Sequence, residues 1–449
     1  MTLRIGAGSA WWGDSIAPAR DLAERGDLDY LCFETMAEVT VSAAQVRRRR
    51  DPAFGGYDSF LEERMRAVLP GCMRRGTRIV SNQGWINPRG AAEATIAILR
   101  ELGAHGVRVA AVDGSMVTDR IGQLADTIME TSAPLASIAD AIVSAEVYLG
   151  VAGIVEALAG GAQIVLTGRV ADPSLFAAPM IHEFGWAMDD WDLLGQGHGI
   201  GHLMECGTQV TGGYFADPGF KDVPDLWNLG LPIAEVEPDG SAVIAKLDGT
   251  GGLIDLRTVK EQMLYEVFDP GQYLTPDVVV DFTTVQLEQD GQDRVRVAGI
   301  SGHPRTPTLK ASIGCVEGFV GEDIFFYAGA GAVERAKLAR SVMERRLQEM
   351  GLAASAVRID LLGVDALHGP DASAGAPVPY EVGLRIAAHT ASREEAAKIG
   401  RVVDTMAVAG VGMTGKRLPG QDRIREVIGV WSTLVPRDLV APTLHWYEA

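Results

Sequence analysis

Short apolar runs alternate with longer amphipathic segments along residues 1–275 of the chain. Each run is followed by a small, amide or acidic residue and then by a helical pattern, as in Leu3–Ala7 and Ile16–Arg25. The same order predicts further strands at Asp29–Phe33, Thr77–Val80, Val107–Val112, Glu146–Leu149 and Gln163–Thr167. It predicts further helices at Ser59–Arg74, Pro88–Leu102, Val151–Ala159 and Pro173–Phe184. Such alternation is typical of right-handed βαβ units, so we predict an α/β fold with a mostly parallel sheet and flanking helices.

The pattern changes after Pro276, where longer strands replace the short apolar runs. We predict a hairpin from Val278–Leu287 and Val295–Ile300, with Gln-Asp-Gly-Gln as its turn. Further strands are predicted at Asp323–Tyr327, Val357–Leu362 and Tyr380–Ala388, and helices at Ala332–Met350 and Arg393–Met406. The sequence therefore predicts an α/β core domain at residues 1–275, which carries the site, and a C-terminal α+β domain at residues 276–449.

Charge and cysteine usage restrict the expected partners and location. The 449 residues include 40 Lys and Arg against 59 Asp and Glu, so the formal net charge is −19. An acidic chain is repelled by nucleic acid and by anionic membranes, so we expect neither as a partner, although a local arginine still allows a small anionic substrate. Four scattered cysteines, no apolar run of membrane-spanning length and no signal pattern predict a cytoplasmic protein. We expect a homo-oligomer on general grounds.

Two basic or glycine-rich segments near the N-terminus have alternative interpretations. The run Arg47–Arg50 suits either a solvated loop or an anion clamp at a subunit contact. The segment Gly6–Asp14 begins like a dinucleotide fingerprint, with Glu34 where a ribose would bind, but Trp11 occupies the place of the third glycine. The alternatives are a plain glycine turn with an aspartate helix cap, or a turn that presents another ligand with Gly8, Ser9 and Asp14.

Polar residues follow three other predicted strands, and ligands bind at such strand ends in open α/β sheets. Asn82 and Asn87 are either turn residues or an amide pair that holds a carboxylate or carbonyl, and Asp113 is equally ambiguous. Arg169 suits bidentate recognition of a carboxylate or phosphate, with Asp172 as a helix cap. The alternative is an internal ion pair between Arg169 and Asp172.

The densest group of reactive side chains lies in residues 201–213. On a helix, His202, Glu205 and Cys206 share one face because they are three and four residues apart. This spacing suits a general acid–base pair, a nucleophile with its base, a divalent metal site, or a buried structural histidine and cysteine. His198 lies one turn earlier, but the glycines on either side of residue 200 predict an irregular backbone there. Two further candidate binding residues follow, Thr208 and Gln209.

The chain resembles the acyclic terpene utilisation (AtuA) family. The resemblance covers essentially the whole chain and is carried by five blocks in the same order: Ile5–Asp14, Asp29–Glu38, Asn82–Pro88, Leu166–Pro173 and Gly201–Gly213. It implies a role in the catabolism of branched acyclic terpenoid acids through their CoA thioesters. Members of this family often come with a small ferredoxin-fold partner, and the resemblance implies that such a partner, if one is needed, is a separate polypeptide here. The resemblance implies no particular reaction, cofactor or metal.

These observations lead to three functional hypotheses. The first is a lyase or hydratase that acts on a small branched carboxylate or its acyl-CoA, with His202, Glu205 or Asp14 moving protons. In it, Arg169 and the asparagine amides hold the carboxylate or carbonyl, and Cys206 acts as a nucleophile only if its thiolate is stabilised. The second is a non-catalytic subunit that binds acyl groups or a partner protein. The third is a nucleotide-dependent oxidoreductase, which Trp11 disfavours.

Overall fold

The computed structural model describes residues 2–417 and 423–449. The chain forms two compact units, of which the first extends to Gly314 and includes Val430–Ala449, and the second is Cys315–Gly429. The domain boundary predicted between residues 275 and 276 lies inside the first unit. The division into two domains at that point stays a prediction. No helix in the described part of the chain is both long and apolar enough to cross a membrane.

The strands and helices predicted for the N-terminal part occur in the predicted order, and the helices Glu38–Arg50 and Ile121–Leu124 lie between them as additions. The strands are β1 (Leu3–Ser9), β2 (Tyr30–Phe33), β3 (Arg78–Ser81), β4 (Arg108–Asp113), β5 (Ile142–Val147), β6 (Ile164–Thr167), β7 (Pro232–Val236), β8 (Ala242–Lys246), β9 (Tyr273–Leu274), β10 (Val279–Asp281), β11 (Gln286–Gln289), β12 (Val295–Ala298), β13 (Ser301–His303), β14 (Thr308–Ala328), β15 (Ala356–Leu362), β16 (Glu381–Thr390), β17 (Gly415–Lys416), β18 (Ile424–Pro436) and β19 (Thr443–Glu448). The α-helices are α1 (Ile16–Arg25), α2 (Glu38–Arg50), α3 (Leu61–Arg75), α4 (Pro88–Glu101), α5 (Ile121–Leu124), α6 (Ala152–Ala159), α7 (Ser174–Phe184), α8 (Trp191–Glu205), α9 (Leu256–Leu264), α10 (Ala332–Met350), α11 (Gly369–Ala372) and α12 (Arg393–Ala409).

The first unit is built on a sheet with strand order β11-β12-β8-β7-β1-β2-β3-β6-β4-β19. The five central strands, β1 to β3 with β6 and β4, are parallel, and Ile79 of β3 pairs with Leu31 on one side and Ile164 on the other. The flanking strands β7, β8, β12, β11 and β19 run antiparallel to their neighbours. The predicted fold class, a mostly parallel sheet with helices, is confirmed.

The two faces of the parallel strands carry different helices. Leu31 and Phe33 of β2 pack in one core cluster with residues of α1, α3 and α4. The intervening Cys32 faces the opposite side, where its thiol donates to Leu175 O of α7 at 3.4 Å. The chain therefore leaves β3 towards one face, through α4, and leaves β6 towards the other face, through α7. Adjacent strands whose connections diverge in this way leave a crevice at their carboxyl ends, where ligands bind in open α/β sheets.

Helix α8 is regular through its glycines, so the predicted irregular backbone around residue 200 is wrong. The glycines serve close packing of a buried helix rather than a turn. A Cβ at Gly195 would lie 2.3 Å from Ser301 O, and one at Gly201 would lie 2.5 Å from Pro173 O. The low helix propensity of glycine is outweighed here because only glycine lets these backbones approach.

Helix α2 corrects the interpretation of the basic run as a loop, since Arg47–Arg50 forms its last turn. The helix is held by the buried side chains of Val41 and Ala44, which pack in a cluster with Phe54 and Trp85. Arg47 lies over the ring of Phe54, with its guanidinium carbon 4.2 Å from the ring centroid. Arg47 therefore covers an apolar ring while remaining exposed itself.

The predicted strand Val278–Leu287 is divided in the structure, whereas the hairpin turn that follows it is confirmed. Strand β10 ends at Asp281, whose carboxylate accepts from Thr283 N at 2.8 Å and bends the chain. The chain then enters β11, which pairs with β12 across the predicted turn. Strand β10 instead pairs with β9 and β13 in a separate sheet.

The second unit is an antiparallel sheet with helices, as predicted for the C-terminal part. Its strand order is β15-β16-β14-β17, and β16 pairs antiparallel with both β14 and β15. Helices α10 and α12 pack on this sheet, and their apolar residues form one core cluster with those of the strands. Helix α10 has the bounds that the sequence predicts, because the apolar period of its sequence is uninterrupted and Gly351 ends it in a left-handed conformation.

Candidate functional site

The candidate site lies where β2, β3 and β6 end side by side. Phe33, Ser81 and Leu166 are in register across these strands, so the residues that follow them meet at one edge. The backbone there is close-packed, since a Cβ at Gly84 would lie 2.4 Å from Thr167 O and one at Gly168 would lie 2.8 Å from Ser115 Oγ. Only glycine at these two positions allows the turns after β3 and β6 to fit together.

A buried hydrogen-bond network joins three of the predicted site residues. Asn82 Nδ2 donates to Glu34 Oε1 at 2.9 Å, and Ser9 Oγ donates to Glu34 O at 2.6 Å. The other end of the Asn82 amide accepts from Thr35 N at 2.8 Å. Burial raises the pKa of Glu34, and the positive charge of Arg169 opposes this rise. Glu34 is 7% exposed, so its carboxylate serves this network rather than an open ribose site.

Arg169 is buried and its guanidinium is used inside the protein. Nε donates to Val170 O at 2.8 Å, and the terminal nitrogens contact Met36 O and the Asp172 carboxylate. The guanidinium carbon also lies 4.6 Å from the ring centroid of Tyr148. Of the two sequence-based interpretations, the geometry matches the internal ion pair with Asp172. The charge still acts at a distance, since Arg169 lowers the pKa values of buried carboxyl groups around it.

His202 and Glu205 form a buried dyad at the end of α8. His202 Nδ1 lies 2.8 Å from Glu205 Oε1, as the i, i+3 spacing on a helix allows. Neither His202 Nε2 nor Glu205 Oε2 has a hydrogen-bond partner within residues 2–417 and 423–449. Burial raises the pKa of Glu205, and the neighbouring His202 opposes the rise. The imidazole packs beside Tyr273 and Phe282, with ring centroids 5.0 and 5.8 Å away.

The dyad belongs to the same electrostatic cluster as the strand ends. The charge of Arg169 lowers the pKa of Glu205, and the charge of Glu205 raises the pKa of Glu34. Burial, followed by the charge of Glu205, raises the pKa of the Cys206 thiol far above its usual range. Cys206 therefore carries a thiol rather than a thiolate at neutral pH, which disfavours a nucleophilic role. No three His, Cys, Asp or Glu side chains of the described residues are placed to share a metal ion.

The remaining predicted residues have local partners. Asn87 caps α4 by accepting from Gly90 N at 3.1 Å, and its amide donates to Gly55 O, so it does not pair with Asn82. Asp14 accepts from Ala10 N at 2.7 Å and closes its own loop. Asp113 accepts from Gly114 N at 2.8 Å. Of the other predicted residues, Gly8 lies against the Phe33 ring, and Thr208 and Gln209 are part of a short 3-10 helix after α8.

The structure adds two residues, one in β5 and one in the turn after it, that the sequence analysis did not single out. Glu146 is 1% exposed, and Tyr148 stacks on Arg169 while its hydroxyl donates to Glu38 Oε1 at 3.0 Å. Burial raises the pKa of Glu146 to about 8, although Arg169 opposes the rise. The available signal was a glutamate inside an otherwise apolar strand, which is unusual without a partner or a function.

The fold and this cluster define an α/β protein with buried ionisable side chains that interact electrostatically near the carboxyl ends of its parallel strands. Residues 3–446 match the model of the acyclic terpene utilisation family protein AtuA, and the chain belongs to this family. The family description links the protein to the utilisation of acyclic terpenes. Comparison with curated proteins and with solved structures gave no match.

Proposed function

We propose that the protein is a lyase or hydratase that acts on a small branched carboxylate or its CoA thioester within terpene catabolism. The observation that supports it is the His202–Glu205 dyad, whose Nε2 has no partner in the described part of the chain although it is buried. A base oriented by a second group, with its other nitrogen free, is the usual arrangement for general acid–base catalysis. The family's link to acyclic terpene utilisation supplies the substrate class.

In this proposal, the ionised Glu205 accepts the Nδ1–H of His202 and so keeps the lone pair on Nε2. Nε2 then takes the proton from the carbon next to the carboxyl or thioester group, and negative charge develops on the carbonyl oxygen. The same imidazolium returns that proton to the hydroxyl that leaves the neighbouring carbon, so one water is released. The buried positive charge of Arg169 favours the charge that develops, because charges interact strongly away from water.

The proposal is tested with tigloyl-CoA, a branched unsaturated thioester, in deuterium oxide. Wild-type protein should add water across the double bond and incorporate deuterium at the carbon next to the thioester, as seen by mass spectrometry. His202→Asn keeps a donor to Glu205 but removes Nε2, and Glu205→Gln keeps the shape but not the charge. Both should lower turnover by about 100-fold or more.

Glu261→Gln is the matched control, because Glu261 is an exposed carboxylate of α9 that pairs with Lys221. It should leave turnover unchanged. Full turnover in both dyad variants would remove the dyad from the mechanism. Tight binding of tigloyl-CoA with neither hydration nor deuterium exchange would instead favour the non-catalytic, acyl-binding function.

A further inference from the structure

Glu146 lies on the face of β5 that is directed at α2 and at Arg169. Side chains alternate along a strand, so Ser144, Glu146 and Tyr148 share one side. Ser144 Oγ lies 3.1 Å from Ser42 Oγ of α2, and Tyr148 lies under the Arg169 guanidinium. Glu146 is between these two contacts and is therefore held next to the buried cluster at the strand ends.

Both carboxyl oxygens of Glu146 are buried and lack a hydrogen-bond partner among the residues that the structure describes. An unpaired buried polar group is destabilising, so its presence in a native protein calls for an explanation. The charged groups that act on it are Arg169, which favours its ionised form, and Asp113, which disfavours it. Burial and Asp113 both raise the pKa of Glu146 and together outweigh Arg169, so the neutral acid is the main form at neutral pH.

A neutral carboxylic acid can donate its proton in a hydrogen bond, which a carboxylate cannot do. We propose that the Glu146 carboxylic acid donates a hydrogen bond to the carboxylate or thioester oxygen of the bound substrate, beside the positive charge of Arg169. This inference rests on the proposed function for the substrate class. It makes Glu146 a substrate-binding residue whose hydrogen bond strengthens as the oxygen gains negative charge.

Tyr148 connects this position to charged side chains at the surface. Its hydroxyl contacts Glu38, which also pairs with Lys310, and both of these charged side chains are about half exposed. Lys310 Nζ also lies 5.3 Å from the Tyr148 ring centroid. An anionic substrate would thus meet Lys310 at the surface and Arg169 beneath it, with Tyr148 between the two cations.

The experiment measures binding of tiglate and tigloyl-CoA by calorimetry, together with the unfolding midpoint in urea. Glu146→Leu removes the unpaired oxygens, so it should raise the midpoint yet weaken binding by about 10-fold to 100-fold, the loss expected for one hydrogen bond to a charged group. Glu146→Gln retains a donor and should bind within a few-fold of wild type. If Glu146 had only a structural role, Glu146→Leu would not raise the urea midpoint and weaken binding at the same time.

Ser144→Ala is the control, since Ser144 lies on the same face of β5 and should bind both probes like wild type. Equal binding by Glu146→Leu and wild type would overturn this inference while leaving the hydratase proposal intact. Binding without turnover in the wild type, with weaker binding by Glu146→Leu, would overturn the hydratase proposal and support the Glu146 donor. A wild-type protein that binds neither probe contradicts both.

Discussion

His198 Nε2 lies 3.0 Å from Asp277 Oδ2, and this buried pair joins α8 to the segment that precedes β10. His198 Nδ1 is 2.9 Å from Leu194 O, so the imidazole contacts an acceptor at each nitrogen. The Asp277 carboxylate also accepts from Val151 N and from Ser174 Oγ, each at 3.1 Å. The pair therefore fixes α8 against the starts of α6 and α7. It thereby also positions the His202–Glu205 dyad, which lies one turn later on α8.

Replacing Asp277 should destabilise the protein. Asp277→Asn leaves the imidazole without an anionic partner in a buried place, which commonly costs about 3–5 kcal/mol. We expect the midpoint of urea unfolding to fall accordingly. Asp281→Asn is the control, because Asp281 is 3.8 Å from a His303 that is 58% exposed, and such pairs contribute about 1 kcal/mol or less. Similar losses for the two variants would contradict the structural role of the buried pair.

The same pair predicts how stability responds to acid. Hydrogen bonding and the charge of His198 hold the pKa of Asp277 below its usual value despite its burial. A carboxyl group with a lowered pKa stabilises the fold above its unfolded-state pKa, and that stability is lost as the pH falls through the folded-state value. Between about pH 5 and pH 3, wild type should therefore lose more unfolding free energy than Asp277→Asn. Parallel pH profiles of the two proteins would contradict this expectation.

The glycines of α8 provide a test of the packing argument. In an exposed helix, Gly→Ala stabilises by about 1 kcal/mol. Gly201→Ala should instead destabilise, because its Cβ would lie 2.5 Å from the backbone oxygen of Pro173, which cannot move aside cheaply. Gly122→Ala in α5 is the control, since a Cβ there meets no described atom within 4 Å. A rise in the unfolding midpoint for Gly201→Ala would show that the close approach is not required.

Periodicity predicted the elements that one repeating pattern determines, such as α10 and the parallel strands around Phe33. It missed α2, because Arg47–Arg50 has no apolar period and the helix depends on a few buried side chains such as Val41. It also misjudged α8, because a glycine penalises an isolated helix and its benefit appears only when a second backbone lies against it. Tertiary contacts, which a local pattern does not contain, decide both cases.

Site prediction was limited in the same way. His202 and Glu205 are three residues apart on one helix, so their contact follows from local spacing and the sequence alone could propose the dyad. The use of Arg169 is decided by groups distant in sequence, such as Met36 O, and by the ring of Tyr148. Glu146 shows the opposite case, in which the missing partner is the informative feature and only the folded structure can show it.

Cys206 should react slowly with iodoacetamide at neutral pH. Burial and the negative charge of Glu205 raise its pKa and keep it as the thiol, and alkylation requires the thiolate. The alkylation rate, followed at this residue by mass spectrometry, should keep rising with pH above the usual thiol range. Cys206→Ser should retain turnover. Rapid alkylation at neutral pH, or loss of turnover in the serine variant, would contradict this and reinstate Cys206 as a nucleophile.

Glu146 predicts a pH dependence of stability opposite to that of Asp277. Burial raises its pKa from 4.5 to about 8, so its neutral form is the one that the fold accommodates. Unfolding lets the group ionise at its ordinary pKa, so the unfolded state gains as the pH rises from about 4.5 towards 8, and stability is lost over that window. Each pH unit by which the pKa of Glu146 is higher in the folded protein than in the unfolded chain lowers the unfolding free energy by about 1.4 kcal/mol at most. The actual loss is smaller because the surroundings of a buried charge relax.

Glu146→Gln cannot ionise, so its unfolding free energy should fall less than that of the wild type between pH 5 and pH 8. The two urea midpoints should diverge steadily across this range, with the variant relatively more stable at the upper end. Glu101→Gln, at an exposed carboxylate of α4, supplies the control and should follow the wild-type profile. If the Glu146→Gln and wild-type profiles stay parallel, Glu146 is ionised in the folded protein. A carboxylate at that position could not donate the hydrogen bond proposed for it.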